Sequence, residues 1–240
     1  MRRQKEGERG MYNISFNGKT GKEFHLIPVR RPSVPAPEMR VEETEVPGMD
    51  GTLTEIDGTY ENIVIPVEFN FLVPPDQWMD AYRKAKRWLT GTGELILGDD
   101  QEYYYKVLFC NITSTERTSR RLGNFEVEFT CFPYAFLVSG KNEYSVSEVE
   151  YNPYMKSHPI YKITGSGSCN LTVNGNTMDI TVNQDITIDT DRMIAYNSEM
   201  TNQSTLISGY YEDLYLQEGQ NEISITSGFN LTVIPNWRTL

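Results

Sequence analysis

Pro74-Pro75-Asp76-Gln77-Trp78-Met79-Asp80-Ala81-Tyr82-Arg83-Lys84-Ala85-Lys86-Arg87-Trp88-Leu89 decides how the rest of the chain is read. Trp78, Tyr82, Ala85, Trp88 and Leu89 recur at helical spacing and share one face. Arg83, Lys84, Lys86 and Arg87 lie on or beside the other. The prolines fit a first turn, where the amide that proline lacks has no partner anyway. Asp76 suits the positive helix end, the basic residues suit the negative end, and Gly91 offers a stop. The spacing predicts a helix of roughly four turns, seated by two tryptophans that each bury about 150–250 Å². The aromatic stripe reads as core rather than as a ligand box. The basic face reads as solvated or turned to a neighbouring subunit. A nucleic-acid footprint needs net positive charge over a domain, and this chain of 240 residues carries −11.

Outward from that helix the sequence reads as strands. Ile63, Ile65, Val67, Phe69 and Phe71 alternate, the clearest strand signal present, and Pro66 points to an edge or a bulge. Further back, Tyr12, Ile14 and Phe16 alternate before an Asn17-Gly18 turn, and Phe24 to Val29 is another short strand. Arg30 to Pro37 is extended. Arg40 to Glu45 is charged and reads as an exposed strand or arm. Pro47-Gly48-Met49-Asp50-Gly51 demands tight turns with positive φ. Met1 to Gly10 reads as a disordered arm, an expression remnant or an upstream start, with Met11 the natural beginning. Beyond the helix come Glu94 to Leu97, a Gly98-Asp99-Asp100 turn, and a long aromatic strand over Tyr103 to Ile112. Arg117 to Gly123 is a basic hairpin tip. Phe125, Val127, Phe129 and Cys131 then alternate with Glu126, Glu128 and Thr130.

Near Ser139 the composition shifts to Asn, Thr, Ser and Gly with short strands, which places a boundary between Phe136 and Asn152. We read a strand over Ile160 to Ile163, ended by Gly165-Ser166-Gly167-Ser168, then a hairpin about Asn174-Gly175. Ile186 to Ile188, Met193 to Tyr196, Leu214 to Leu216, Ile223 to Ile225 and Leu231 to Ile234 complete about seven short strands, the pattern of an antiparallel sandwich.

Chemistry is sparse. The part before Ser139 has 17 basic and 21 acidic residues, net −4, and the rest has 5 and 12, net −7. Neither is a partner for DNA or an anionic membrane, and no run is long and apolar enough for a membrane span. Three separated cysteines without Cys-x-x-Cys argue against disulfides and zinc, and for a reducing cytoplasm. His25 and His158 read as surface or loop residues. Asp185, Asp189 and Asp191 raise calcium, but the EF-hand glycine and glutamate are absent. No catalytic, cofactor-binding or metal residues are assigned, and no cofactor is expected.

The order of motifs resembles the distal tail protein (Dit) family of long-tailed phages and prophages of Gram-positive bacteria. The carriers are Met11-Tyr12-Asn13-Ile14-Ser15-Phe16-Asn17-Gly18, Pro47-Gly48-Met49-Asp50-Gly51, Trp88-Leu89 with Gly93 and Leu95, and Phe129-Thr130-Cys131-Phe132-Pro133-Tyr134. Leu171-Thr172-Val173-Asn174-Gly175, Ile186-Thr187-Ile188-Asp189, Ser208-Gly209, Leu214, Gly219-Gln220-Asn221 and Ile234-Pro235-Asn236-Trp237-Arg238 follow in order. Pro47, Gly48, Asp50, Gly51, Trp78, Trp88 and Trp237 are the residues singled out as structural motif positions.

The resemblance implies a mainly β protein with one helix: an N-terminal sandwich or barrel-like ring domain over 11–138 and a C-terminal galectin-like antiparallel β-sandwich over 139–240. It implies a non-enzymatic virion protein of the tail tip, made in the bacterial host cytoplasm. Six copies would form a homohexameric ring joining the tail tube protein to a tail-associated tip protein, the baseplate and receptor-binding proteins, around a channel for DNA. No membrane and no sequence-specific nucleic acid are expected as partners. The alternative is a carbohydrate-binding module for cell-wall polysaccharide. Trp237 is its one candidate aromatic platform, and we read it as a packing residue.

Overall fold

The structure, a computed structural model, describes residues 12–45, 47–48 and 50–240, and of Asp57 only the backbone. The arm at Met1 to Gly10 and the proposed start at Met11 lie outside the described residues. The chain is 54% strand and 13% helix, hence mainly β. It divides into two compact units, one ending at Ala135 (with Leu240) and one over Phe136–Thr239.

The first unit opens with β1 (Ile14–Phe16) and β2 (Lys19–Thr20), joined at Asn17-Gly18, then β3 (Leu26–Pro28). A hairpin of β4 (Met39–Glu45) and β5 (Thr52–Tyr60) follows, then β6 (Ile63–Leu72) and α1 (Trp78–Trp88). β7 (Gly93–Leu97), β8 (Asp100–Glu116) and β9 (Leu122–Leu137) complete it, the last two residues of β9 belonging to the second unit. Seven of these strands form one sheet in the order β2-β1-β7-β8-β9-β6-β3. Alternation does what it should: Ile63, Ile65, Val67, Phe69 and Phe71 on β6 and Phe125, Val127, Phe129 and Cys131 on β9 all turn inward. Pro66 shows why proline is tolerated here. The Glu68 carbonyl accepts from Val29 N–H, so even-numbered residues of β6 face β3. β3 pairs β6 only as far as Phe69, so the amide missing at Pro66 faces a side with no ladder partner on β3.

α1 is seated on this core, but it is shorter than its pattern suggests. Pro74 to Gln77 form a separate turn, with Gln77 N–H donating to the Pro74 carbonyl, and the helix proper has 11 residues. Trp78, Ala81, Ala85, Trp88 and Leu89 are buried, while Tyr82 stays half-buried with its hydroxyl 3.1 Å from that of Thr115. Trp78 meets Phe71 edge-on, and Trp88 stacks on Phe24 at 4.7 Å. Trp88 also donates its Nε1–H to the Phe16 carbonyl at 3.1 Å, tying the helix end to β1.

In the second unit a one-turn helix α2 (Val146–Val149), closed by a Ser145–Glu148 capping box, adds to the helix read from sequence. β10 (Tyr151–Asn152), β11 (Ile160–Val173), β12 (Asn176–Asp189) and β13 (Ile194–Tyr196) follow. Then come β14 (Ile207–Ser208), β15 (Gly219–Gln220), β16 (Ile223–Ile225), β17 (Asn230–Ile234) and β18 (Arg238–Thr239). β11 and β12 pair from Ile160–Asp189 to Val173–Asn176 about the Asn174-Gly175 turn. β13 and β14 pair β12, while β16 and β17 pair β11.

Two expectations change. Gly165 to Ser168 does not end a strand: β11 runs straight through, because Gln184 to Thr181 on β12 supply continuous pairing. Gly165 has φ +153, and a Cβ there would fall on the Phe229 ring, so glycine is there for close approach rather than for a loop. Leu214 ends a 3-10 turn (Tyr211–Leu214) instead of opening a strand, and only Leu216 bridges, to Ser157. The turn packs on β11, where the buried Tyr161 hydroxyl donates to the Leu214 carbonyl at 2.7 Å.

Candidate assembly surfaces

The β4–β5 hairpin is an arm. Every described residue of β4 is exposed, and Leu53 and Ile56 on β5 are 49% and 60% exposed. Its base is tied by the Arg40–Glu61 ion pair at 2.7 Å, the Glu61 N–H on the Glu38 carbonyl and the edge-on contact of Tyr60 with Tyr134. Sequence alone marked Arg40 to Glu45 as extended but left Thr52 to Tyr60 unread. That segment lacks clean alternation, and β5 exists because β4 pairs with it. The arm tip holds Pro47, Gly48, Asp50 and Gly51, with Gly48 at φ +87 and Gly51 at φ +84, where an L side chain is strained. Between Met39 and Tyr60 the sequence has six acidic residues, Glu42, Glu43, Glu45, Asp50, Glu55 and Asp57, and one basic residue, Arg40. An isolated two-stranded hairpin is marginal in water, and one carrying exposed Val41, Leu53 and Ile56 is suited to lie against something.

The positive charge of the first unit gathers elsewhere. Arg83, Lys84, Lys86 and Arg87 line α1, and Arg117, Arg120 and Arg121 form the β8–β9 tip. The two meet where the Arg117 guanidinium covers the Trp78 ring at 4.4 Å. Beside them, Met79, Tyr82, Thr115 and Phe125 line an open groove of about 320 Å³.

Trp237, in the second unit, is 7% exposed, beside Tyr154 and against the backbone of Gly140. That burial leaves no broad ring face for a sugar to stack on. Near it lies a cluster that the sequence concealed. His158, expected as a surface or loop residue, lies in the loop before β11 but is half-buried between Asp191 and Arg238, each 3.1 Å from one ring nitrogen, and stacks on Tyr215 at 4.0 Å. Residues 33 and 80 positions away meet it, so no local signal could have marked it. Burial, chiefly, holds the imidazole below its ordinary pKa.

Other candidate groups are engaged separately. Asp189 accepts from the amides of Asp191 and Arg192, and Asp185 accepts from Ser198. Among the described residues no group of three His, Cys, Asp or Glu side chains is placed to hold a metal. Cys110 and Cys131 are pushed up to about 12 by burial, so neither is an activated thiolate. Among the described residues no helix is long and apolar enough to cross a membrane.

No sequence-family model matches the chain, and neither does any curated protein. The fold does match. The crystal structure of the SPP1 Dit (gp 19.1) protein, described as a paradigm of hub adsorption apparatus in Gram-positive infecting phages, superposes with a TM-score of 0.65 at 8% identity. The match covers 95% of this chain and 98% of that one. The fold is that of SPP1 Dit. The likeness takes in both units, so the Dit fold accounts for the order of strands and helix along nearly the whole chain. At this identity it speaks for the fold and not for individual residues.

Proposed function

We propose that this protein is a distal tail hub of a phage or prophage of Gram-positive bacteria. The observation that carries the reading is the whole-chain likeness to SPP1 Dit, which spans both units. Six copies form a ring through the first unit, between the tail tube and the tip or baseplate proteins, leaving a channel for DNA. The second unit is a docking scaffold for receptor-binding components. The net charge of −11 supports a channel that duplex DNA crosses without sticking, since phosphate binding needs clustered positive charge. The exposed β4–β5 arm supports ring closure: an element that leaves its own core and docks on a non-equivalent surface of the next copy builds a head-to-tail ring. Pro47, Gly48, Asp50 and Gly51 shape the arm tip, Trp78 and Trp88 hold the unit that presents it, and Trp237 packs within the second unit.

Light scattering and negative-stain imaging of the purified chain test this. Six copies of the 27.6 kDa chain around a central hole are expected. The double variant Leu53→Asp, Ile56→Asp should keep the native circular dichroism and lose the ring. A chain that stays monomeric, and still does so when mixed with the tail tube protein of its own particle, would refute the proposal.

A further inference from the structure

His158 sits between an obligate donor and an acceptor. Its Nε2 lies 3.1 Å from Nη2 of Arg238, and its Nδ1 lies 3.1 Å from Oδ1 of Asp191. A guanidinium only donates, so Nε2 must accept through its lone pair, and Nδ1 must carry the proton and donate to Asp191. One neutral tautomer satisfies both contacts. Each element around the ring contributes a group. Asp191 comes from the β12–β13 turn, Arg238 from β18, and Lys156 from the segment before β11, its Nζ 5.7 Å from the Tyr215 ring. Tyr215 follows the 3-10 turn, and Glu212 of that turn acts on its hydroxyl. Burial and the charges of Arg238 and Lys156 oppose protonation, while Asp191 favours it; burial is the largest influence.

The same residues fasten the end of the chain. Arg238 donates from Nε to the Lys156 carbonyl at 2.6 Å, and its own carbonyl accepts from Met155 N–H at 3.2 Å. The Trp237 carbonyl accepts from Leu137 N–H at 2.9 Å, and Asn236 donates to the His158 carbonyl at 2.8 Å.

We propose that His158 is a proton-operated latch on β18, the closing strand of the second unit. The latch is shut while Nε2 keeps its lone pair. A proton taken from solvent occupies that lone pair, turns the acceptor into a donor, and sets imidazolium against guanidinium. The His158–Arg238 bond breaks, no covalent bond changes, and the strand loses one of its side-chain anchors while the Arg238 Nε bond to the Lys156 carbonyl is left; loss of the proton restores it. The sign follows from linkage. The unfolded chain binds this proton near the ordinary pKa of about 6.5, and the folded chain binds it only at lower pH. The latch therefore contributes fully above the unfolded pKa, and its contribution is lost as pH falls below it toward the folded value. The inference stands apart from the hub reading, since it concerns contacts within one unit.

Hydrogen exchange on the full-length protein tests it, read at the Leu137 and Met155 amides that bond the Trp237 and Arg238 carbonyls. After correction for intrinsic exchange, protection at these two amides should fall about tenfold or more between about pH 7.5 and about pH 5, while the centre of the β11–β12 ladder is unchanged. His158→Gln supplies an acceptor for Arg238 and a donor for Asp191 without a titrating site, and its protection should be flat with pH. Should that variant not fold, Asp191→Asn removes the favouring carboxylate and should move the loss to lower pH. Unchanged protection in the wild type, or the same loss in His158→Gln, or a loss unmoved in Asp191→Asn, would overturn the latch.

Discussion

Trp88→Ala is the perturbation that most directly tests how the first unit is held together. Trp88 stacks on Phe24 at 4.7 Å with an interplanar angle of 8°, meets Phe16 edge-on at 6.3 Å, and donates its indole N–H to the Phe16 carbonyl in a buried bond. Truncating a large buried aromatic costs about 3–5 kcal/mol through lost transfer energy and the cavity left behind. Leaving the Phe16 carbonyl without its indole donor adds about 1 kcal/mol or more. The sum, about 4–6 kcal/mol, is comparable to the whole stability of many domains, about 5–15 kcal/mol. The first unit should thus be marginal in the variant while the second is untouched. Urea titration reads this cleanly, because Trp78 remains to report on the first unit and Trp237 on the second. Trp88→Phe keeps most of the ring and loses the N–H, so it should cost about 1–3 kcal/mol. A loss under about 1 kcal/mol for Trp88→Ala would mean that α1 is not seated on β1 and Phe24 as described.

Three further outcomes are expected. Gly165→Ala, at φ +153 with a Cβ directed into the Phe229 ring, should destabilise the second unit by about 2–4 kcal/mol in the same titration. Asn174→Ala removes a carbonyl that accepts from Glu222 N–H at 2.9 Å and an amide that donates to Asn221 at 2.8 Å; the cost should be about 2–4 kcal/mol, seen as a lower midpoint of the Trp237 transition. Cys110 and Cys131 are acids whose pKa is raised to about 12 by burial, so they stay protonated thiols through neutral pH. Alkylation of the native chain near pH 8 should run more than about 100-fold slower than in urea, where ordinary thiols ionise near 8.5, as mass spectrometry of the alkylated chain would show.

What the sequence determined by itself is what local rules control. Alternation at Ile63 to Phe71 and at Phe125 to Cys131 marked strands and their inward faces, because a strand buried on one side repeats every two residues. Asn17-Gly18 and Asn174-Gly175 marked hairpins, because both residues of each pair take positive φ. Trp78, Ala85, Trp88 and Leu89 marked the buried face of α1. The tertiary structure decided the rest. Thr52 to Tyr60 is a strand only through its pairing with β4, and Gly165 to Ser168 stays extended only because β12 runs beside it. His158, Asp191, Tyr215 and Arg238 are brought together by elements distant in sequence, and a contact between distant residues leaves no periodic trace. Local steric preference is written residue by residue; pairing partners and side-chain clusters depend on which surfaces the folded chain brings face to face.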